Sequence, residues 1–444
     1  MNIVNEMSLN CNTNISINFD GGSLSSDSGM LLVKDFIHKI GLDHIVKKMF
    51  HTNDTATFRI HTDDENLLQT IYQIIAGYFE DDRCDDLKNE PVLTTCLDKP
   101  TLASQPTMSR FYNRMDLSTL QQFQEINKAM RDVIYKCTGN PLMVIFDLDS
   151  TLLPAYGSQD GVAWNYHYQS DGYHPLLCYD ALTGDLIRAW LRSGTDYSSK
   201  GVAEFMLPVL EEYTSRYRTT NLFVRGDSGF VTPELYELCE RFHCQYAIRL
   251  KENAVLHRLA DGLLQQLYEE NKDRLTEHAE IYGEFEYQAR AWSHPRRVVC
   301  KIEKPSGELT VKYTFVVTTR IDAHKDCIQF YCARGNMENF IKESKNGFDF
   351  GAVSSHSMIV NANRLEIHAL AYNIVNWMKH LVLPDEMKAD QIDTIRLKII
   401  KVASKIIHHG RKRQFKMCSY CTYQSEIFSI IENIGSLRIK PCSS

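Results

Sequence analysis

No stretch of the chain approaches the roughly 18 apolar residues a membrane-spanning helix needs, and its start lacks a basic segment followed by an apolar run. Neither membrane insertion nor secretion is expected, and the working compartment is read as the cytoplasm. Low-complexity tracts are missing as well, so two or three ordered domains are expected over 444 residues. A disulfide framework is lacking: the thirteen cysteines are an odd number without regular spacing, as suits a reducing compartment. Only one C-x-x-C pair, Cys418 and Cys421, has histidines upstream (His408 and His409). It offers at most half a zinc site, because no second pair has matching spacing. Net positive charge is also lacking. The total of −7 speaks against a nucleic-acid partner, whose phosphates require clustered Lys and Arg.

The distribution of charge points the other way. Arg396, Lys398, Lys401, Lys405, Arg411, Lys412, Arg413 and Lys416 follow one another without an Asp or Glu between them, while acid gathers at Asp63 to Glu65 and Glu80 to Asp86. Such a basic run fits a DNA duplex, and equally a solvated helix face.

Residues 1 to about 140 show helical apolar spacing at Leu31 to Ile40, Glu65 to Tyr78, Met108 to Met115 and Leu120 to Tyr135. Ser104 or Gln105 caps the third of these, Pro106 sits in its first turn, and Thr107, Ser109, Arg110 and Arg114 are available on its surface, as in a recognition helix or any capped surface helix. After the turn signal Thr138-Gly-Asn-Pro141 the period changes. Met143 to Thr151 is a continuous apolar run ending in acids, which predicts a buried strand delivering Asp147 and Asp149 at its C-terminal edge. Strands are expected at His174 to Asp180, Leu186 to Arg192 and Tyr246 to Leu250, and helices at Ser199 to Tyr213 and Glu234 to Phe242. Asn221 to Phe230 predicts a second buried strand, ending at Asp227. From about Asn253 the pattern becomes one helix and then strands, with Glu284 to Trp292 alternating so that Trp292 projects from the polar face. Arg296 to Lys301 and Val311 to Thr318 extend that sheet. Asn361 to Val382 and the basic Thr394 to Ile407 read as long helices.

Between these lies Tyr331-Cys-Ala-Arg-Gly-Asn-Met-Glu-Asn-Phe-Ile-Lys-Glu-Ser-Lys345. On one continuous helix, Tyr331, Arg334, Glu338 and Lys345 would fall within about 60° of arc, with Lys342 beside them and Glu343 turned away. One carboxylate among cationic donors suits a metal ion beside a phosphate, and also an ordinary surface ion pair. Combined with Asp147 or Asp149 and with Asp227, it gives three separated acids that can meet at one point and hold two divalent ions.

Two resemblances follow. Asp147-Leu-Asp149-Ser-Thr151 resembles the first motif of haloacid-dehalogenase-type phosphatases, implying Asp147 as nucleophile and Asp149 as general acid. The chain departs from that family after Asp227, where Gly229, Phe230 and Val231 stand in place of a second acid, and in the 140 or so residues preceding the motif. The wider resemblance is to DDE transposases of bacterial insertion sequences. Tyr331, Arg334, Glu338 and Lys345 match their Y-x2-R-x3-E-x6-K signature, and Asp149-Ser-Thr151 and Arg225-Gly-Asp227-Ser-Gly-Phe230 look like their first two acid motifs. Gly157-Ser-Gln159, Leu191-Arg-Ser-Gly194, Ile341-Lys-Glu343 and Thr394-Ile-Arg-Leu-Lys398 resemble the branch called transposase DDE domain group 1, insertion-sequence family thirteen-eighty.

That resemblance implies an α/β fold in which an RNase H-like core is interrupted by a β-rich insertion and flanked by helical N- and C-terminal regions. The divisions expected are 1–140 for end recognition, 141–252 for the first part of the core, 253–328 for the insertion, 329–350 for the helix with the third acid, and 351–444 for the basic C-terminal region. It further implies cutting and joining of DNA at terminal inverted repeats and target sites, with two Mg²⁺ ions (Mn²⁺ as substitute) on Asp149, Asp227 and Glu338, and a homodimer on DNA in the bacterial nucleoid. Asp149 is preferred to Asp147 because D-x-T/S is the usual form of the motif, and strand alternation is read as letting only one of the two reach the cluster; Asp147 stays the alternative. Tyr331, Arg334 and Lys345 would hold phosphates. Trp292 would stack a flipped base or else pack on a neighbour, and Arg110 would contact DNA; Arg192 and Arg225, next to the predicted acids, would contact DNA or else neutralise the acid cluster. A catalytically inactive DNA-binding protein on the same fold is the remaining alternative.

Overall fold

Val144, Phe146 and Leu148 are fully buried, each contributing about 1.5–3 kcal/mol through burial, so Met143–Ser150 (β1) can only be an interior strand. In the computed structural model, which describes residues 6–273, 276–308, 310–410 and 412–439, this strand lies inside a mixed sheet. The other strands are Leu176–Asp180 (β2), Leu186–Trp190 (β3), Asn221–Gly226 (β4), Gln245–Leu250 (β5), Ala279–Tyr287 (β6), Arg296–Lys304 (β7) and Lys312–Thr318 (β8). Their order among the described residues is β6-β7-β8-β5-β4-β1-β2-β3. Strands β1, β4 and β5 run parallel, and every other neighbouring pair is antiparallel. Helices Val202–Arg216, Pro233–Arg241 and Ala254–Glu270 connect strands along the sheet. His324–Cys332 (α1) and Met337–Gly347 (α2) follow β8. Between β1 and β2 the chain forms a small sheet of Leu153–Pro154, Ala163–Asn165 and Ser170–Tyr173.

This sheet belongs to one of two compact units, made of Thr138–Asn346 and Val353–Leu365. The described parts of Met1–Cys137, Gly347–Ala352 and Glu366–Ser444 make the other. The second unit holds the N-terminal helices, among them Met30–Lys39, Asp63–Ala76, Gln105–Asn113 and Leu117–Thr138, and a three-stranded sheet of Leu24–Ser25, Ser404–His409 (β9) and Lys412–Met417 (β10). Thr62 and Glu65 form a reciprocal capping box at the start of Asp63–Ala76. No helix among the described residues is long and apolar enough to cross a membrane.

Three sequence-based elements differ from expectation. The strand expected at Glu284 to Trp292 ends at Tyr287, where pairing with Arg296 closes a hairpin, and Trp292 lies in the connecting turn. The signature helix is interrupted: α1 stops at Cys332, Ala333–Asn336 is a 3₁₀ turn, and α2 begins at Met337. Tyr331 and Glu338 are therefore not on one regular helical face. The basic helix expected at Thr394 to Ile407 is helical only over Ile392–Ile395 and a π-helical turn at Arg396–Ile400, and then becomes β9. Ile406 and Ile407 favour a strand, and Gly410, at φ 57°, makes the turn into β10.

Candidate functional site

Parallel register brings the two strand acids together. Arg225 on β4 pairs with Asp147 on β1, so the strand ends carry Asp227 and Asp149 two residues further along neighbouring strands spaced about 4.8 Å apart. Asp227 then turns the chain: its Oδ1 accepts the Gly229 N–H at 2.8 Å, and a Cβ on Gly229 would come within 3.0 Å of both that oxygen and Ser198. Asp149 accepts from its neighbour Ser150 N–H at 2.8 Å. Burial pushes the Asp149 carboxyl above its ordinary range. The Arg334 guanidinium and the Ser150 N–H oppose that shift, and the charge of Asp227 adds to it.

Asp147 has a different environment on the same face. Residues two apart on a strand point the same way, so alternation does not separate it from Asp149, contrary to the sequence reading. Burial does separate them. Asp147 is fully buried, and both its oxygens accept from Arg225, at 2.6 Å from Nε and 2.7 Å from Nη2. Arg225 also donates to the Phe330 carbonyl at 2.6 Å and lies over that ring. Burial raises the Asp147 carboxyl and Arg225 opposes the shift, leaving a closed ion pair with no free oxygen edge.

Three members of the Y-R-E-K signature meet this corner despite the helical break. Nη2 of Arg334 donates to the Leu148 carbonyl at 2.7 Å and lies 3.1 Å from Asp149 Oδ2, while its Nε is buried with no hydrogen-bond partner among the described residues. Lys345 donates to the Leu152 carbonyl at 2.9 Å and to Thr151 Oγ1 at 3.3 Å, and burial depresses its ammonium. The Tyr331 hydroxyl is raised by burial, offset by Arg334 and Arg249 and reinforced by Asp227. Glu338, in the first turn of α2, is exposed. Among the described residues the carboxylate oxygens of Asp149, Asp227 and Glu338 do not all lie within 4.8 Å of one another. The one set of His, Cys, Asp or Glu ligand atoms that does converge to that distance is His38, Asp43 and His44, on the N-terminal helices. Cys418 and Cys421 are not in it.

The remaining arginines and the tryptophan lie elsewhere. Arg192 is buried and donates to the carbonyls of His174, Tyr197, Ser198 and Lys200 and to Ser150 Oγ, so it ties the 193–200 loop to the end of β1. Burial lowers it to about 10. Trp292 is 5% exposed, edge-on to Tyr236 and Tyr287 with Arg296 over its ring; packing replaces the projecting side chain expected from alternation. Arg110 is exposed on Gln105–Asn113, in the other unit.

Sequence reading missed the wall opposite the acids. A cavity of about 730 Å³ is lined by Asp149, Asp227 and Lys251 and by Trp164, Tyr166 and Tyr168. Tyr166 is 86% exposed and Trp164 45%, from the small sheet and its turn. Tyr168 donates to the Ser150 carbonyl at 3.3 Å, and both strand acids help raise its hydroxyl after burial. His167 and Tyr168 lie in the turn between Ala163–Asn165 and Ser170–Tyr173. The available signal was Trp-Asn-Tyr-His-Tyr itself, five ring or amide side chains in succession.

The family model described as transposase DDE domain group 1 matches residues 7–439. No curated protein sequence matches. Among solved structures, the chain is similar to one described as a cryo-EM structure of the piggyBac transposase synaptic complex with hairpin DNA. The TM-score is 0.41 at 13% identity, with 94% of this chain and 86% of that chain covered.

Proposed function

The chain belongs to the transposase DDE domain group 1 family and is a DDE transposase, and from that premise we propose that it cuts and joins DNA at the corner formed by Asp149 and Asp227. The single observation carrying this is the pairing of two carboxylates on adjacent parallel strand ends, one of them held up in pKa by burial and by the other's charge. Two such acids are relieved by a shared cation, and their hard oxygen donors fit Mg²⁺, or Mn²⁺ in its place. Asp149, Asp227 and Glu338 would hold the ions, with Glu338 moving in from its exposed turn. Bound there, divalent ions supply activation of the attacking oxygen and charge stabilisation of the leaving one.

The chain's own residues supply the rest. Arg334 steadies Asp149 and the Leu148 carbonyl, and Tyr331 and Lys345 flank the same strand end, a cationic border for a phosphate. Asp149, not Asp147, is assigned as first acid, supported by the closed Asp147–Arg225 pair. That pair also leaves Asp147 poorly placed as a phosphatase nucleophile. An RNase H-like core is supported by the strand order β3-β2-β1-β4-β5, three antiparallel strands followed by two parallel ones, with β6 to β8 as its insertion. The substrates are double-stranded terminal repeats and target DNA in the nucleoid, handled by a homodimer. Arg110 is retained as a DNA contact; Trp292, Arg192 and Arg225 act by packing and positioning.

The test is cleavage of duplexes carrying the repeats that flank the gene, with Mg²⁺. The parent cuts, and Asp149→Asn, Asp227→Ala and Glu338→Ala do not. Undiminished cutting by Asp227→Ala and Glu338→Ala would sink the assignment.

A further inference from the structure

We infer that the β9–β10 hairpin is a separate clamp for the phosphate backbone of duplex DNA, engaging it through one face. The inference rests on DNA being the substrate, and its evidence is the register of the hairpin. The basic run of the sequence divides in two in the structure. At its root the cations are already partnered: Arg396 donates to the carbonyls of Ile74, Ile75 and Gly347, Lys398 pairs with Asp390 at 2.7 Å, and Lys401 with Asp27 at 2.7 Å. Arg413 donates to Thr95 Oγ1 at 3.1 Å from the other face, and Arg411 lies outside the described residues.

What remains is one face of the ribbon. Antiparallel pairing sets Lys405 directly opposite Lys416, Ile407 opposite Gln414, and His409 opposite Lys412. Lys405, His409, Lys412, Gln414 and Lys416 are all exposed. None of the three lysines has an ion pair or side-chain hydrogen bond among the described residues. Residues 401 to 418 contain no acid. Directly opposed like charges on a sheet face are destabilising, and sheets ordinarily place opposite charges there. A face that keeps Lys405 against Lys416 and Lys412 against a histidine, with Gln414 between, complements a polyanion of regular spacing. Lys405 and His409 are about 14 Å apart along the strand, and a two-stranded ribbon is an element duplex grooves admit. The inner face anchors the ribbon through buried Ile406, whose N–H donates to the Ser23 carbonyl at 2.9 Å, so the charged face is presented from a fixed base. Lysine contacts of this kind neutralise phosphates without reading bases.

The experiment measures binding of the full-length chain to a terminal-repeat duplex and to a scrambled duplex, over a range of salt, with chelator present. Lys405→Gln/Lys416→Gln is expected to weaken both duplexes equally, by about tenfold, and to lower the slope of log affinity against log salt by about 1.8, since each lost phosphate contact removes about 0.9. The same variant should melt at a higher temperature than the parent without DNA, because an opposed like-charge pair is gone. Lys405→Arg/Lys416→Arg should keep the parent slope. An unchanged slope, or a loss confined to the repeat sequence, overturns the clamp. If the parent cuts repeat ends with Mg²⁺ and the slope does not move, the clamp fails while the transposase site stands. A parent that neither binds duplex nor cuts it overturns both.

Discussion

The strand ends at Asp149 and Asp227 and the ribbon at Lys405 and Lys416 both place like charges side by side, but they do so in opposite settings. At the strand ends the acids sit beside Arg334, Lys345 and the Asp147–Arg225 pair, and burial sharpens their mutual repulsion. On the ribbon the lysines stand in water, where repulsion is weak and screened. The difference separates two kinds of recognition. A low-dielectric corner fixes a few atoms for chemistry, whereas a solvated face holds an extended polyanion by salt-dependent attraction.

Several variants can break or sharpen that contrast. The largest effect is expected from Arg225→Met, which strands a fully buried carboxylate; the loss should be about 3–5 kcal/mol in denaturant unfolding. Near-normal stability there would mean the Asp147 pair is not the structural member of the corner. Asp180 comes next, because it tests burial away from the site. Burial, with a further contribution from Asp185, lifts this carboxyl to about 6. A folded-state pKa above the unfolded value means the ionised form weighs fully against folding above about pH 6, the penalty shrinking as pH falls from about 6 towards 3.8 and being lost below that. Asp180→Asn should therefore stabilise by up to about 3 kcal/mol at pH 8 and by almost nothing at pH 4, as read from melts across pH. A gain independent of pH would contradict it.

Asp149→Asn should raise the melting temperature in chelator while abolishing end cleavage, because burial and Asp227 both disfavour its charge. A drop in melting temperature would mean that its bond to Arg334 outweighs them. The smallest effect is expected at Trp292→Phe: it should cost about 1 kcal/mol in unfolding and leave DNA cleavage unchanged, since the ring is packed between Tyr236 and Tyr287. A selective loss of cleavage would restore it to the site.

The sequence made the central strands legible because Val144 to Phe146 and Leu222 to Val224 are continuous apolar runs that only an interior position accommodates. It also placed Arg334 and Lys345 near the acids, although by a helix that breaks at Gly335 and Asn336; the motif spacing survived the break, but the wheel did not. Two parts were hidden for physical reasons. Lysines at Lys398, Lys401 and Lys405 repeat at helical spacing, which masked the change to strand at Ser404, and like-charge pairing across a hairpin is invisible until register is known. Arg225 and Arg192 look like DNA contacts in sequence because a guanidinium beside acids is ambiguous. Only depth shows that one closes on Asp147 and the other on loop carbonyls.

The most direct test is cleavage of the protein backbone by Fe²⁺ standing in for Mg²⁺, with ascorbate and peroxide, since radicals formed at the ion cut the chain beside its ligands. Cuts near residues 149 and 227, suppressed by excess Mg²⁺ and lost in Asp149→Asn and Asp227→Asn but kept in Asp147→Asn, are the predicted result. Cuts that depend on Asp147, or that spare both strand ends, would contradict the assignment.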